Sequence, residues 1–185
     1  MQVDAKDYLE LVEQTGDLAF FDVESFNLKG DYGSIICVSI KPYDKAPYTF
    51  MIEQVGNDRK VLREAKEALE SYKVWATYYG KGFDIKLLNT RLLKWGMPKI
   101  EKRHHLDLYF LIRSNLLTSR RSMAHLNSWL ETKTQKDSLS ADIWVQVMRN
   151  EDKARERIVE RCESDCINLE ELYKATKHFI MDITR

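Results

Sequence analysis

Asp22 and Glu24 stand two residues apart at the end of an apolar run from Leu18 to Val23. In an extended chain side chains alternate, so both carboxylates leave one face together with Phe20, while Phe21 and Val23 leave the other. Two like charges held together beside a core lose hydration and repel, and both stay ionised only if a cation or strong donors compensate them. A divalent metal is the simplest compensation. The plainer reading is that the strand has ended and both acids point into water. Two further carboxylates raise the same question. Asp84 follows the glycine-broken segment Tyr79-Gly80-Lys81-Gly82-Phe83 and starts a helical pattern, where it could serve as an N-cap. Asp165 falls within the stripe Ile158, Cys162, Leu169, Leu172, Thr176 of a late helix, in a core-side slot for which Cys166 competes.

The elements that must position these residues can be read from periodicity. Leu18 to Val23, Ser34 to Ile40 and Tyr48 to Ile52 read as three consecutive antiparallel strands, the last following turn residues Pro42, Asp44 and Pro47. Asn57 to Tyr72 has helical spacing, Val74 to Tyr79 is β-rich, and Gly80 and Gly82 break that strand before a helix that stops at Gly96 and Pro98. A short strand near His105 to Leu108 comes next. Only helices are expected after it, one to about Leu117, one after Ser122, one after Ser140 and a long one from about Asp152 to Ile183. Strands first and helices last make an α/β domain with a mixed sheet. Thr132 to Ser140 is the most loop-like stretch, and no repeat or long linker divides residues 1–185, which are expected to form a single domain.

Composition narrows the class. A chain of 185 residues can bury roughly 70% of its unfolded surface in one core. No stretch approaches the roughly 18 uninterrupted apolar residues of a membrane helix, and the acidic, polar segment from Val3 to Glu13 has no secretory pattern, so a cytoplasmic location without membrane association is expected. Cys37, Cys162 and Cys166 form no C-x-x-C pair and read as reduced core residues. Lys plus Arg balance Asp plus Glu at 29 each, so any contact with a polyanion must be local. The four histidines lack metal-ligand spacing, and Trp75, Trp129 and Trp144 fit apolar faces.

The joint order of the carboxylates carries more than each alone. The motifs Phe20-Phe21-Asp22-Val23-Glu24, Tyr79-Gly80-Lys81-Gly82-Phe83-Asp84 and Cys162-Glu163-Ser164-Asp165, with Leu169 and Tyr173 behind, resemble those of the DEDD-type 3′-to-5′ exonucleases of the ribonuclease H-like (DnaQ-like) superfamily. The resemblance covers about residues 17–180 and is nearest to stand-alone exonucleases with a short helical C-terminal half. It is similar also to family B polymerase proofreading domains, and His105-Leu106-Asp107-Leu108 matches a motif common there. It implies a ribonuclease H-like fold with a mixed five-stranded sheet, three antiparallel strands then two parallel ones, flanked by helices.

The same resemblance implies that Asp22, Glu24, Asp84 and Asp165 are catalytic metal ligands. Oxygen-only ligands favour two Mg²⁺ ions, or Mn²⁺ in their place, about 4 Å apart. Asp22 would bridge both, Glu24 and Asp165 would complete one shell, and Asp84 would act at the second, largely through water. The implied activity is hydrolysis of single-stranded DNA, or RNA, to nucleoside 5′-monophosphates. In the family a tyrosine four residues before the last carboxylate, or a histidine five before, serves the attacking water; here those positions hold Arg161 and Glu160. Tyr79 stands where the family often has asparagine.

Lys81, Lys99, Lys102, Arg103, Arg113, Arg120, Arg121 and Arg161 could track phosphates, with Tyr79, Phe83 and Trp95 as stacking partners. Arg120 and Arg121 stand out because the helix after Ser122 would add backbone donors. Two competing readings keep the fold, one a nucleic-acid-binding or interaction module that has lost catalysis with the missing tyrosine, the other a structure-selective or RNA-trimming nuclease using the same four acids.

Overall fold

The computed structural model describes residues 5–132, 139–140 and 142–179. The run carrying Asp22 and Glu24 is β1 (Leu18–Ser25), paired antiparallel with β2 (Ile35–Pro42), which pairs antiparallel with β3 (Tyr48–Met51). On its other side β1 pairs in parallel with β4 (Val74–Thr77), and β4 in parallel with β5 (His104–Asp107). The sheet is mixed and five-stranded as expected, three antiparallel strands then two parallel ones, and its order is β3-β2-β1-β4-β5. Around it lie α1 (Ala5–Thr15), α2 (Arg59–Glu70), α3 (Asp84–Lys94), α4 (Leu108–Asn115), α5 (Met123–Trp129), α6 (Asp142–Met148) and α7 (Asp152–Thr176), the last followed by a 3₁₀ turn, Lys177–Phe179.

Alternation along β1 sorts the core into layers. Ala19, Phe21 and Val23 face α2 and α3, meeting Val61, Leu62, Ala65, Leu87, Leu88 and Leu92. Leu18 and Phe20 face the opposite layer, where α7 brings Leu169, Leu172 and Tyr173, α1 brings Leu9 and Val12, and α5 brings Leu126. A third cluster joins Ile36 and Cys37 of β2 to Ala154, Ile158 and Cys162 of α7 and Val147 of α6. With helices on both faces, every residue of β2 is buried, as a central strand requires. The three cysteines are free and buried.

The β1–β4 ladder ends at Phe20 opposite Ala76, whereas β1–β2 pairing continues through Asp22 opposite Ser39 and Glu24 opposite Cys37. The half of β1 bearing the two acids therefore runs past the end of β4, and the sheet is open there on one side. A register shift at Glu24 and Ser25 ends the strand.

Three expectations change in detail. α1 was hidden in a segment that reads as merely acidic and polar, because its buried stripe is only Leu9 and Val12. α7 stops at Thr176 rather than continuing towards Ile183, and residues 180–185 lie outside the described residues, as does most of the loop-like stretch, 133–138. Trp129 is 59% exposed rather than set in an apolar face. Among the described residues, no helix is long and apolar enough to cross a membrane.

Candidate metal centre

The carboxylates of Asp22 and Glu24 on β1 and of Asp165 on α7 each bring one oxygen within 4.8 Å of the others. Strand alternation puts the first two on the α7 face, and helical periodicity turns Asp165 towards them at 8% exposure. The competition for the core-side slot has no single winner, since Cys166 is also buried and its thiol reaches the Ser39 carbonyl at 3.4 Å. One turn earlier, Cys162 directs its thiol at Asp22, 3.4 Å from the carbonyl and 3.5 Å from Oδ2. Burial pushes that thiol well above its ordinary range, so it stays protonated and can donate. Sequence reasoning took Cys162 for core filling alone; its spacing of three from Asp165 was the available sign.

Arg161, four residues before Asp165 on the same helix, reaches the same cluster. Its Nε lies 3.4 Å from Glu24 Oε1 and 3.5 Å from Asp165 Oδ2.

Asp84 is the first residue of α3, preceded by Phe83 in the cap position, so it is not an N-cap. It is 5% exposed. Burial pushes its carboxyl well above the ordinary carboxylate range, and the charges of Asp22 and then Asp107 add to this, against the opposing pull of the Asp84 and Val23 backbone amides. Asp84 is not among the three residues whose oxygens converge, but it stands near enough to Asp22 for the two charges to oppose one another.

The loop that delivers Asp84 is clamped from β5. Asp107, buried at the end of that strand, accepts the Tyr79 amide at 2.9 Å on one oxygen and the Lys81 amide at 2.8 Å on the other. Tyr79 adopts φ 67°, a left-handed conformation uncommon for a residue with a Cβ. Both glycines answer to close approach, since a Cβ on Gly80 would stand 2.4 Å from Thr77 Oγ1 and one on Gly82 would stand 2.4 Å from the Tyr79 ring. Thr77 Oγ1 accepts the Gly80 amide and also pairs with His105 Nε2 at 2.7 Å. The H-L-D-L motif therefore works as a loop anchor, a role the sequence reading left unassigned.

Of the residues expected to meet nucleic acid, Tyr79 is 45% exposed and packs its ring on Tyr109 and Phe110 at centroid distances of 5.0 and 5.7 Å. Lys81 lies on the clamped loop. Phe83 is partly buried against the Phe21 cluster, and Trp95 is partly buried there with its Nε1 donating to Asp58 at 2.7 Å, so both rings serve the core. Arg120 and Arg121 are exposed ahead of α5, with the Arg121 carbonyl accepting from Tyr78 Oη. Ser122 Oγ already takes the His125 amide at 3.3 Å, which uses one of the donors expected for a phosphate.

The sequence model of a family described as RNase_H superfamily matches residues 19–177. The chain belongs to the RNase_H superfamily. Among solved structures, the RNase_H chain is similar to the family B DNA polymerase from the hyperthermophilic archaeon Pyrobaculum calidifontis, with a TM-score of 0.69 and 16% identity over 86% of this chain. The match takes in 24% of the polymerase chain, and at that identity it shows a shared ribonuclease H-like fold. No curated protein matches. Membership in RNase_H supports a nuclease, and the three converging carboxylates offer the hard oxygen donors that suit a divalent cation.

Proposed function

We propose that this protein is a metal-dependent 3′-to-5′ exonuclease that hydrolyses single-stranded DNA, with RNA as a further substrate, to nucleoside 5′-monophosphates. The observation that carries the reading is the convergence of Asp22, Glu24 and Asp165 within 4.8 Å where β1 runs past β4, with buried Asp84 electrostatically beside Asp22. Two divalent cations, Mg²⁺ or Mn²⁺, held by these four residues would supply Lewis acidity and a water of lowered pKa.

Each residue has a task that follows from its position. Asp22 shares the cluster with Glu24 and Asp165, and its charge also acts on Asp84, which suits a residue common to both metal positions. Cys162 orients Asp22 through its thiol. Asp107 holds the Tyr79–Lys81 loop, which presents an exposed aromatic ring and a cation to a single strand. Tyr109 and Phe110 back that ring and extend the stacking surface.

Purified protein is incubated with 5′-labelled single-stranded DNA and with RNA of the same sequence, in Mg²⁺, Mn²⁺ or EDTA, beside Asp22→Asn. A metal-dependent ladder shortening from the 3′ end, absent in Asp22→Asn, is expected; cleavage of a circular single strand would instead make the enzyme an endonuclease. One observation favours a second reading. Arg161 sits on Glu24 and Asp165, which suits a metal-free module that binds nucleic acid without cutting it. Retained binding with no cleavage in any metal would select that reading.

A further inference from the structure

Three carboxylates whose oxygens lie within 4.8 Å of one another, in a half-buried setting, must be compensated even when no metal is held. Arg161 faces two of the three, with its Nε at 3.4 Å from Glu24 and 3.5 Å from Asp165. A guanidinium keeps its charge at every working pH, so this compensation is permanent. It also lies on oxygens that a divalent cation would need, and two cations on the same carboxylates repel.

The backbone cannot relieve that conflict. Arg161 is set in the middle of α7, where Ile158, Cys162 and Asp165 are all buried, so the helix is fixed against the sheet on either side of it. The side chain can move, because it retains 21% of its exposure. At 3.4 and 3.5 Å its contacts are ion pairs longer than charge-assisted hydrogen bonds, so a cation bonded directly to the carboxylates can displace them.

We propose that Arg161 is a built-in competitor of the divalent cation, occupying the Glu24–Asp165 edge of the cluster so that metal loading requires its displacement. The inference rests on the metal centre of the preceding reading. It makes metal affinity, and not only catalysis, depend on a residue that is not itself a ligand. Removing the charge strengthens metal binding and weakens the metal-free fold, two effects of opposite sign from one substitution.

The test is calorimetric titration of the purified protein with Mn²⁺, for wild type, Arg161→Met, Arg161→Lys and Asp22→Asn. Arg161→Met keeps aliphatic bulk without charge and is expected to bind at least about tenfold more tightly than wild type. Arg161→Lys keeps the charge and should stay near wild type. If Arg161→Met binds no more tightly, or if Met and Lys tighten binding alike, the inference is overturned while the metal centre stands. If wild type and Asp22→Asn take up Mn²⁺ equally, or if no variant takes it up, Arg161→Met included, the metal centre itself is wrong and the inference falls with it. A second measurement needs no folded Arg161→Met. The Arg161 Nε–H resonance of wild type, assigned by its loss in Arg161→Lys, should shift and lose exchange protection on titration with Mg²⁺. A signal unchanged at a Mg²⁺ concentration that shifts the resonances of neighbouring β1 residues would overturn displacement.

Discussion

At the scale of single residues the proposed metal centre would depend on groups outside the four proposed ligands. The Cys162 thiol, kept protonated by burial, has one S–H within reach of both the carbonyl and the carboxylate of Asp22, and so helps to fix the side chain that meets Glu24 and Asp165. Groups one step behind a ligand commonly change metal affinity by about 10- to 100-fold. Cys162→Ala is therefore expected to weaken Mn²⁺ binding by about tenfold, and Cys162→Ser, which keeps a donor, to recover part of it, both read by calorimetry. Unchanged affinity in Cys162→Ala would reduce the thiol to packing.

Among the elements, α3 matters most because it carries Asp84, and one buried ion pair holds it. Asp58 is fully buried and accepts from Arg91 Nε at 2.8 Å, Arg91 Nη2 at 3.0 Å, Trp95 Nε1 at 2.7 Å and the Ile35 amide at 2.8 Å. It thus ties α3 to the start of β2. Asp58→Ala strands the Arg91 charge inside the protein and is expected to cost about 3–5 kcal/mol in urea unfolding, since breaking a buried pair leaves an uncompensated ion. The β4–β5 contact under the Tyr79 loop has its own signature. Burial lowers the His105 pKa to about 3 from the ordinary 6.5, with Lys81 contributing. The unfolded chain thus takes up a proton below pH 6.5 that the folded protein refuses until about pH 3, so this stability is complete above 6.5 and is lost as pH falls. Relative to wild type, His105→Gln should flatten the decline over that range by up to about 1.4 kcal/mol per pH unit, measured by urea unfolding at successive pH values. Parallel curves for the two proteins would show that His105 titrates normally.

At the scale of the whole molecule the charge balance shapes how a nucleic acid could bind. With 29 basic and 29 acidic residues there is no general field to gather a polyanion, so binding must come from stacking on Tyr79, Tyr109 and Phe110 and from a few phosphate contacts. Roughly three neutralised phosphates give a slope of about −2 in log affinity against log salt for a single strand. Fluorescence anisotropy across a salt series measures it, and a slope steeper than about −4 would show a basic track along the chain.

Much of this was legible without a structure, and for a physical reason. The two faces of β1 follow from alternation, a period-two signal that placed Phe20 with Asp22 and Glu24 opposite Phe21 and Val23, whereas the mixed five-stranded sheet was implied by the resemblance of the motifs to a known family. The helix beginning at Asp84 and the approach of α7 were legible in glycine punctuation and the apolar stripe. Convergence was not. Whether Asp84 capped a helix or faced Asp22, and whether Asp165 or Cys166 took the inward slot, depended on where β4 stops beside β1 and how α7 lies across the sheet. Such contacts join residues from 62 positions apart, Asp22 and Asp84, to 143 apart, Asp22 and Asp165, and no local period encodes them. The clamp from Asp107, the Cys162 thiol on Asp22 and the reach of Arg161 to Glu24 exist only in the packed chain, because each joins elements distant in sequence.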